Sequence, residues 1–256
     1  MDFKEKLHVL PDVLDLKRKM VGVRIFKDQE AYEKSESREL RHKITYCYMV
    51  KLGSYGKHFK ANASHFLCEG ALKALGMINL DPKVLSGEIY ESLGLYRSRE
   101  IAKDAQQEML YREQKIYGVE IFPLDENPEN PYDIAIIVDN SYVIMRVVQG
   151  YSYNEGIHKG IRIGGNQGIC SEVTAFPFAK NDINVSLLCS GTRFFAKWDP
   201  EDVAIGIPQH KMSRVVDGII KTINPTESDS RKKIILKKLR NQNVNFNITM
   251  DSNYYK

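Results

Sequence analysis

The sequence of 256 residues contains no apolar run of the ~20 residues that a bilayer-spanning helix needs. Its first residues, Met1 to Lys6, lack the apolar core of a signal peptide. Cysteine is scarce, with four in the whole chain. These absences exclude membrane-spanning and disulfide-stapled classes and predict a cytoplasmic protein whose cysteines are thiols.

The chain also lacks a strong charge of either sign. Its net charge is +4, and the segment 226–256 holds seven Lys and Arg against three Asp and Glu, so the first 225 residues are balanced. A nucleic-acid-binding protein would spread positive charge and aromatic residues over a docking face, and this pattern is not seen. With 43% apolar residues, the composition predicts a globular protein of one or two domains.

Two apolar segments have the composition of buried strands, Val21 to Phe26 and Asp133 to Asp139. The stretch between Pro123 and Pro131 is rich in turn-forming residues and indicates the main break in the chain. The pattern predicts an α/β fold of two similar halves, 1–122 and 132–225, packed into one body. We expect mixed sheets flanked by helices.

The C-terminal third carries further local signals. Asp199-Pro200-Glu201 has the cap, proline and acid of a helix start, and apolar residues from Met212 to Ile223 recur at helical spacing. The segment 226–256 mixes basic and apolar residues and ends in an asparagine-rich stretch. It predicts a basic tail, helical or loose, that adds little to the core.

The four cysteines form two similar pairs, with 20 residues inside the first pair and 18 inside the second. The second cysteine of each pair follows an apolar run and precedes any residue and then glycine. At such a turn, free backbone N–H groups can stabilise a thiolate, which is the form that binds metals. The positions concerned are Cys47, Cys68, Gly70, Cys170, Cys189 and Gly191.

Other interpretations remain open at this point. The chain has no Cys-x-x-Cys knuckle, and four buried, inert thiols are a common outcome. His65, three residues before Cys68, could join a ligand set or be an ordinary hydrogen-bonded histidine. The glycine-rich stretch 150–168 matches neither a dinucleotide fingerprint nor a P-loop, and its His158 and Arg162 could meet an anion or simply face solvent.

The chain resembles domain-of-unknown-function family 169, a set of archaeal and anaerobic bacterial proteins of about this size. All four cysteines fall on cysteine positions of that family's pattern. The resemblance covers nearly the whole chain up to Pro208 and implies no established activity. The segments that carry it are Val21 to Phe26, Cys47, Cys68 to Ala71 with Leu75-Gly76, Asp133 to Asp139, Gly168 to Cys170, Cys189 to Arg193, and Gly206 to Pro208.

These observations lead to the hypothesis that the four cysteines bind an iron–sulfur cluster, a [4Fe–4S] cluster by their number, with Gly70 and Gly191 leaving room for N–H···S bonds. Arg193 and Arg24 are the candidate catalytic residues, and they would hold a small anionic substrate of a redox or cluster-assisted enzyme. A redox partner protein is the other expected partner. The alternative is a non-catalytic module, either a zinc site with four cysteine ligands or a metal sensor or carrier.

The hypothesis makes a geometric prediction. With either metal, the four sulfurs should lie within roughly 6–7 Å of one another.

Overall fold

The computed structural model describes residues 2–109, 115–242 and 244–250. Its centre is a six-stranded sheet in the order β2-β3-β1-β4-β6-β5, in which all five neighbouring pairs are antiparallel. The α/β class is confirmed. The strands are β1 (Val21–Phe26), β2 (Phe59–Asn62), β3 (Gly118–Pro123), β4 (Ile134–Asp139), β5 (Asn184–Ser186) and β6 (Val203–Pro208).

The strand order repeats about the centre of the sheet. From the centre outward it runs β1, β3, β2 on one side and β4, β6, β5 on the other, so each side uses its first, third and second strand in the same order. We expected a mixed sheet, but all five ladders between the described strands are antiparallel. A parallel pair needs a crossover connection between neighbouring strands, and no described ladder is of that kind. Parallel pairing in the described residues is confined to two isolated bridges.

Side-chain alternation divides the sheet into two faces. Val23 and Ile121 belong to one apolar cluster, whereas Phe122 and Ala135 belong to another on the opposite face. Long helices cover the face that carries Phe122 and Ala135, and we call it the helical face. Its helices are α1 (Phe3–Leu14), α8 (Ser141–Glu155), α11 (Gln209–Lys221) and α13 (Asp229–Asn241), with α12 (Ile223–Thr226) between the last two.

The other face, here the cysteine face, is covered by shorter helices and by a π-helix at Gly168–Ala175. A π-helix is rare, and it often marks a functional site. The shorter elements are α2 (Gln29–Lys34), α3 (Tyr46–Ser54), a 3₁₀ turn (Ala63–His65), α4 (Glu69–Ala74), α5 (Pro82–Leu85), α6 (Glu88–Ser92), α7 (Arg99–Met109), α9 (Phe176–Lys180) and α10 (Ser190–Ala196).

The C-terminal segment is part of the core, contrary to expectation. Ile235 and Leu239 of α13 are fully buried in the helical-face cluster. Just before α13, the Glu227 carboxylate pairs with the Arg146 guanidinium at 2.7 Å, and both side chains are about 1% exposed. Ile235 and Leu239 therefore face inward although basic residues surround them in the sequence, whereas Ile234 is exposed.

The sequence signals also missed or misplaced some elements. Strands β2, β3 and β6 were not predicted, and Asp199-Pro200-Glu201 forms a turn that leads into β6 rather than a helix start. The polar segment from Arg97 to Tyr117, with Ile101, Ala105 and Met109 on one stripe, predicts a helix. Helix α7 covers this segment up to Met109, residues 110–114 lie outside the described part, and residues 115–117 are not helical. No described helix is long and apolar enough to span a membrane.

Candidate functional site

All four cysteines line one pocket of about 330 Å³ on the cysteine face. Each lies at the beginning of a helical segment. Cys47 is in the first turn of α3, Cys170 is in the first turn of the π-helix, and Cys68 and Cys189 are the N-caps of α4 and α10. Backbone N–H groups at helix starts carry partial positive charge, which can stabilise a thiolate once a metal has replaced its proton.

Two backbone features bring Cys170 and Cys189 to the same pocket. A Cβ atom on Gly168 would lie 2.8 Å from Leu188 Cα and 3.0 Å from the Cys189 nitrogen, so glycine permits this close approach. Leu188 has a φ of +66°, which is unusual for a branched apolar residue. A local strain of this kind persists where the surrounding packing imposes it, and here it turns the chain at Cys189.

Helix α3 ties the remaining cysteines to this centre. The Tyr46 hydroxyl lies 3.1 Å from the Thr174 hydroxyl of the π-helix, and its ring stacks on Phe66 with centroids 5.8 Å apart. The Trp198 indole N–H donates to the Cys47 carbonyl at 3.2 Å. These buried contacts hold α3 against the π-helix, the segment before Cys68 and the end of α10.

Hydrogen bonds reach two of the sulfurs. The Cys47 thiol donates to the Thr45 hydroxyl oxygen at 3.3 Å. The Thr192 backbone N–H donates to Cys189 Sγ at 3.4 Å, and the Thr192 hydroxyl lies 3.0 Å from the same sulfur. The expected backbone N–H···S bond is therefore present at Cys189, and it comes from the residue after Gly191.

Burial favours the protonated form of the Cys170 and Cys47 thiols. Desolvation raises the pKa of Cys170 well above its usual value, and the charges of the other three cysteines raise it further. Desolvation also raises the pKa of Cys47, and Cys189 and Cys68 add to the effect. Four thiolates are thus unfavourable in this pocket without a bound cation, whereas a metal would replace the protons.

The pocket has space beside two of its sulfurs. A Cβ on Gly70 would lie 3.6 Å from Cys68 Sγ, and a Cβ on Gly191 would lie 3.9 Å from Cys189 Sγ. Any side chain at either position would therefore border the sulfur and fill space in the pocket. Lys73 also lines the pocket, with its ammonium 2.9 Å from Glu69, and supplies positive charge.

The four thiols line one pocket, and its fit to a metal group can be considered from the residues present. Within the described ranges, no three His, Cys, Asp or Glu side chains are gathered so that they could hold a single metal ion. A zinc ion needs four sulfurs at ~2.3 Å from one centre, whereas a polynuclear cluster needs thiolates distributed around a volume. The four cysteines and the volume of the pocket fit the larger group.

The wall of the pocket contributed by α6 carries a polar pair for which the sequence holds no signal. The Gln167 side-chain amide donates to the Tyr90 hydroxyl at 2.8 Å, and both residues are buried and line the pocket. Desolvation raises the pKa of Tyr90 to about 12, with smaller contributions from the charges of Cys170 and Cys68. Tyr90 is therefore a neutral hydrogen-bond donor at physiological pH.

The two candidate arginines lie outside this pocket lining. Arg193 donates to three backbone carbonyl oxygens, those of Leu187, Asp199 and Asp202, and so holds α10 against the loop that follows it. Arg24 alternates along β1 with residues of the cysteine face, so it lies on the opposite face. Its guanidinium lies 3.7 Å from Glu120. The alternation of β1 could have indicated this placement.

The other weighed residues have ordinary structural partners. His65 accepts from the Asn62 backbone N–H at 3.3 Å, and His158 lies 2.7 Å from the Ile183 carbonyl. The Arg162 side chain is half exposed and lies 3.9 Å from Glu108. None of the three is in the lining of the four-cysteine pocket.

Comparison with known proteins adds a family but no activity. The model of the family described as "Uncharacterised ArCR", domain of unknown function 169, matches residues 9–218. The uncharacterised protein MJ0308 of Methanocaldococcus jannaschii is 28% identical over 224 residues, which cover 85% of this chain and 94% of that protein. No solved structure matches the chain.

Proposed function

We propose that this chain, which belongs to the uncharacterised ArCR family, binds an iron–sulfur cluster through Cys47, Cys68, Cys170 and Cys189. One observation carries the proposal: every cysteine of the chain lines the same pocket, although the four come from separate helical segments. Inert core thiols have no physical reason to share one pocket. The pocket of about 330 Å³ has room for a cluster, and for this reason we favour a cluster over a single zinc ion.

Electron transfer is the role that we propose for the cluster. A bound cluster would supply one-electron chemistry, and four cysteine thiolates are enough to give each iron of a [4Fe–4S] cluster a protein ligand. Such a cluster has no open iron position for a substrate. Arg24 and Arg193, which would have held an anionic substrate, lie outside the pocket lining. We therefore favour a redox partner protein over a small substrate.

The test is anaerobic purification of the full chain, with reconstitution by ferrous iron and sulfide. We expect about four irons and four sulfides per chain and a broad visible absorption that bleaches on reduction. Each single Cys→Ser variant should lose most of this iron, because serine is a poor ligand for a cluster built on thiolates.

Arg24→Lys is the matched control, since it changes a charged residue on the opposite face of the sheet, and it should retain the wild-type iron content. A colourless protein with one zinc per chain, whose zinc is lost in the four serine variants, would replace the proposal by the alternative of a four-cysteine zinc site. Iron that survives substitution of all four cysteines would refute both.

A further inference from the structure

Tyr90 lies where α6 closes the four-cysteine pocket. Its side chain is 9% exposed, and its hydroxyl has one hydrogen-bond partner in the described part of the chain, Nε2 of Gln167 at 2.8 Å. In that bond the amide N–H donates and the phenol oxygen accepts. The hydroxyl proton of Tyr90 is consequently free to donate elsewhere.

The surroundings of Tyr90 limit what that proton can meet. Tyr90 lines the same pocket as Cys170 and Cys68, and the charges of both thiols add to the effect of burial in raising the pKa of the phenol. A buried O–H group without an acceptor costs free energy. The pocket lining offers oxygen acceptors on Thr45, Glu69, Asn166 and Thr192 as well as the four sulfurs. Among these groups, the Cys170 and Cys68 sulfurs are the ones whose charges act on the Tyr90 phenol, so we take sulfur as the acceptor in the loaded pocket.

Gln167 fixes the phenol in this position. It is 5% exposed, it directly precedes the π-helix that carries Cys170, and its bond to Tyr90 joins elements 77 residues apart in the chain. The amide thus connects α6 to the start of the π-helix and holds the Tyr90 hydroxyl in place. Its Oε1 atom is buried without a partner, so the amide serves Tyr90 alone among the described residues.

We propose that the Tyr90 hydroxyl, oriented by Gln167, donates a hydrogen bond to a sulfur of the cluster or its ligands on the Cys170 and Cys68 side. This inference rests on the proposed function. Tyr90 is a positioning and tuning residue in this role. A hydrogen bond to sulfur stabilises the more negative, reduced cluster, and so it raises the reduction potential.

Redox titration of the loaded protein, followed by visible absorption and EPR, tests the inference with Tyr90→Phe. A hydrogen bond to a charged acceptor changes an equilibrium by about tenfold. At the potential where half of the wild type is reduced, the ratio of reduced to oxidised protein should therefore fall about tenfold, which equals ~59 mV for one electron. Gln167→Leu keeps the Tyr90 hydroxyl but removes the amide that orients it, so the reduction potential should shift in the same direction by a smaller amount.

Tyr96→Phe is the matched control. The Tyr96 hydroxyl accepts from the Asn166 side chain at 3.1 Å, as Tyr90 does from Gln167, but Tyr96 lines a neighbouring pocket instead of the four-cysteine pocket. The reduction potential of the cluster in Tyr96→Phe should equal that in the wild type. A direct readout is proton ENDOR, in which an exchangeable proton coupled to the reduced cluster should disappear in Tyr90→Phe.

The outcomes separate the two proposals. A wild-type chain that holds no cluster overturns the proposed function and this inference together. A loaded wild type with an unchanged potential and proton signal in Tyr90→Phe overturns this inference alone. A full shift in Gln167→Leu with none in Tyr90→Phe would assign the donor to the amide and overturn the role of Tyr90.

Discussion

Removal of the chain after Pro225 should unfold most of the molecule, because the segment beyond it belongs to the core. The deletion removes the fully buried Ile235 and Leu239, each worth ~1.5–3 kcal/mol of apolar burial. It also removes Glu227 and leaves the Arg146 guanidinium, about 1% exposed, without its carboxylate. Breaking a buried pair in this way costs ~3–5 kcal/mol. The combined loss, ~6–11 kcal/mol, is comparable with the whole stability of an ordinary domain, ~5–15 kcal/mol.

The assay is urea denaturation, followed by far-UV circular dichroism and by the fluorescence of Trp198, the single tryptophan. Trp198 is buried on the cysteine face, across the sheet from α13. Its fluorescence therefore reports whether the deletion also unfolds the cysteine face. Glu227→Ala should lower the free energy of unfolding by ~3–5 kcal/mol. The exposed Lys233→Ala should change it by less than ~0.5 kcal/mol. A truncated chain with the wild-type midpoint by both probes would refute this reasoning.

Two further predictions concern single residues. Gly168→Ala places a Cβ 2.8 Å from Leu188 Cα, so we expect a loss of ~1–3 kcal/mol in urea denaturation and weaker iron retention; unchanged stability would contradict the close approach. The hydrogen bond from Lys238 lowers the pKa of Asp15. Asp15 then stabilises the fold above its unfolded pKa of ~3.9, and this contribution disappears as the pH falls through the lower folded pKa. The stability difference between wild type and Asp15→Asn should therefore be below ~1 kcal/mol at pH 6 and should shrink as the pH falls below ~3.9, as measured by thermal melts.

The sequence predicted those parts of the fold whose signals are local. The strands at Val21 and at Ile134 are continuous apolar runs, and both lie at the centre of the sheet. Strand β6 was hidden because Asp199-Pro200-Glu201 suits a turn as well as a helix start. The burial of α13 could not be predicted from its composition, because its basic residues bind Leu14 and Asp15 at the end of α1, more than 200 positions earlier.

The candidate site shows the same division. The matching cysteine contexts predicted turns at Cys68 and Cys189, and in the structure both residues are the N-caps of helices. Thr192, three residues after Cys189, has the position of a capping partner. Tyr90 and Gln167 carried no signal, since their contact is made only in the folded chain. Arg193 is close in sequence to Cys189, but its donors are taken by backbone carbonyls.

The two repeats of the strand order meet along a short seam. Strands β1 and β4 are joined over three residue pairs, whereas β1 and β3, and likewise β4 and β6, are joined over six. The chain between β1 and β3 supplies Cys47 and Cys68, and the chain between β4 and β6 supplies Cys170 and Cys189. Any group held by all four thiolates would therefore join the two repeats across this short ladder, and its binding free energy would stabilise their association. Loss of that group would be felt first as faster amide hydrogen exchange along β1 and β4, at the seam itself.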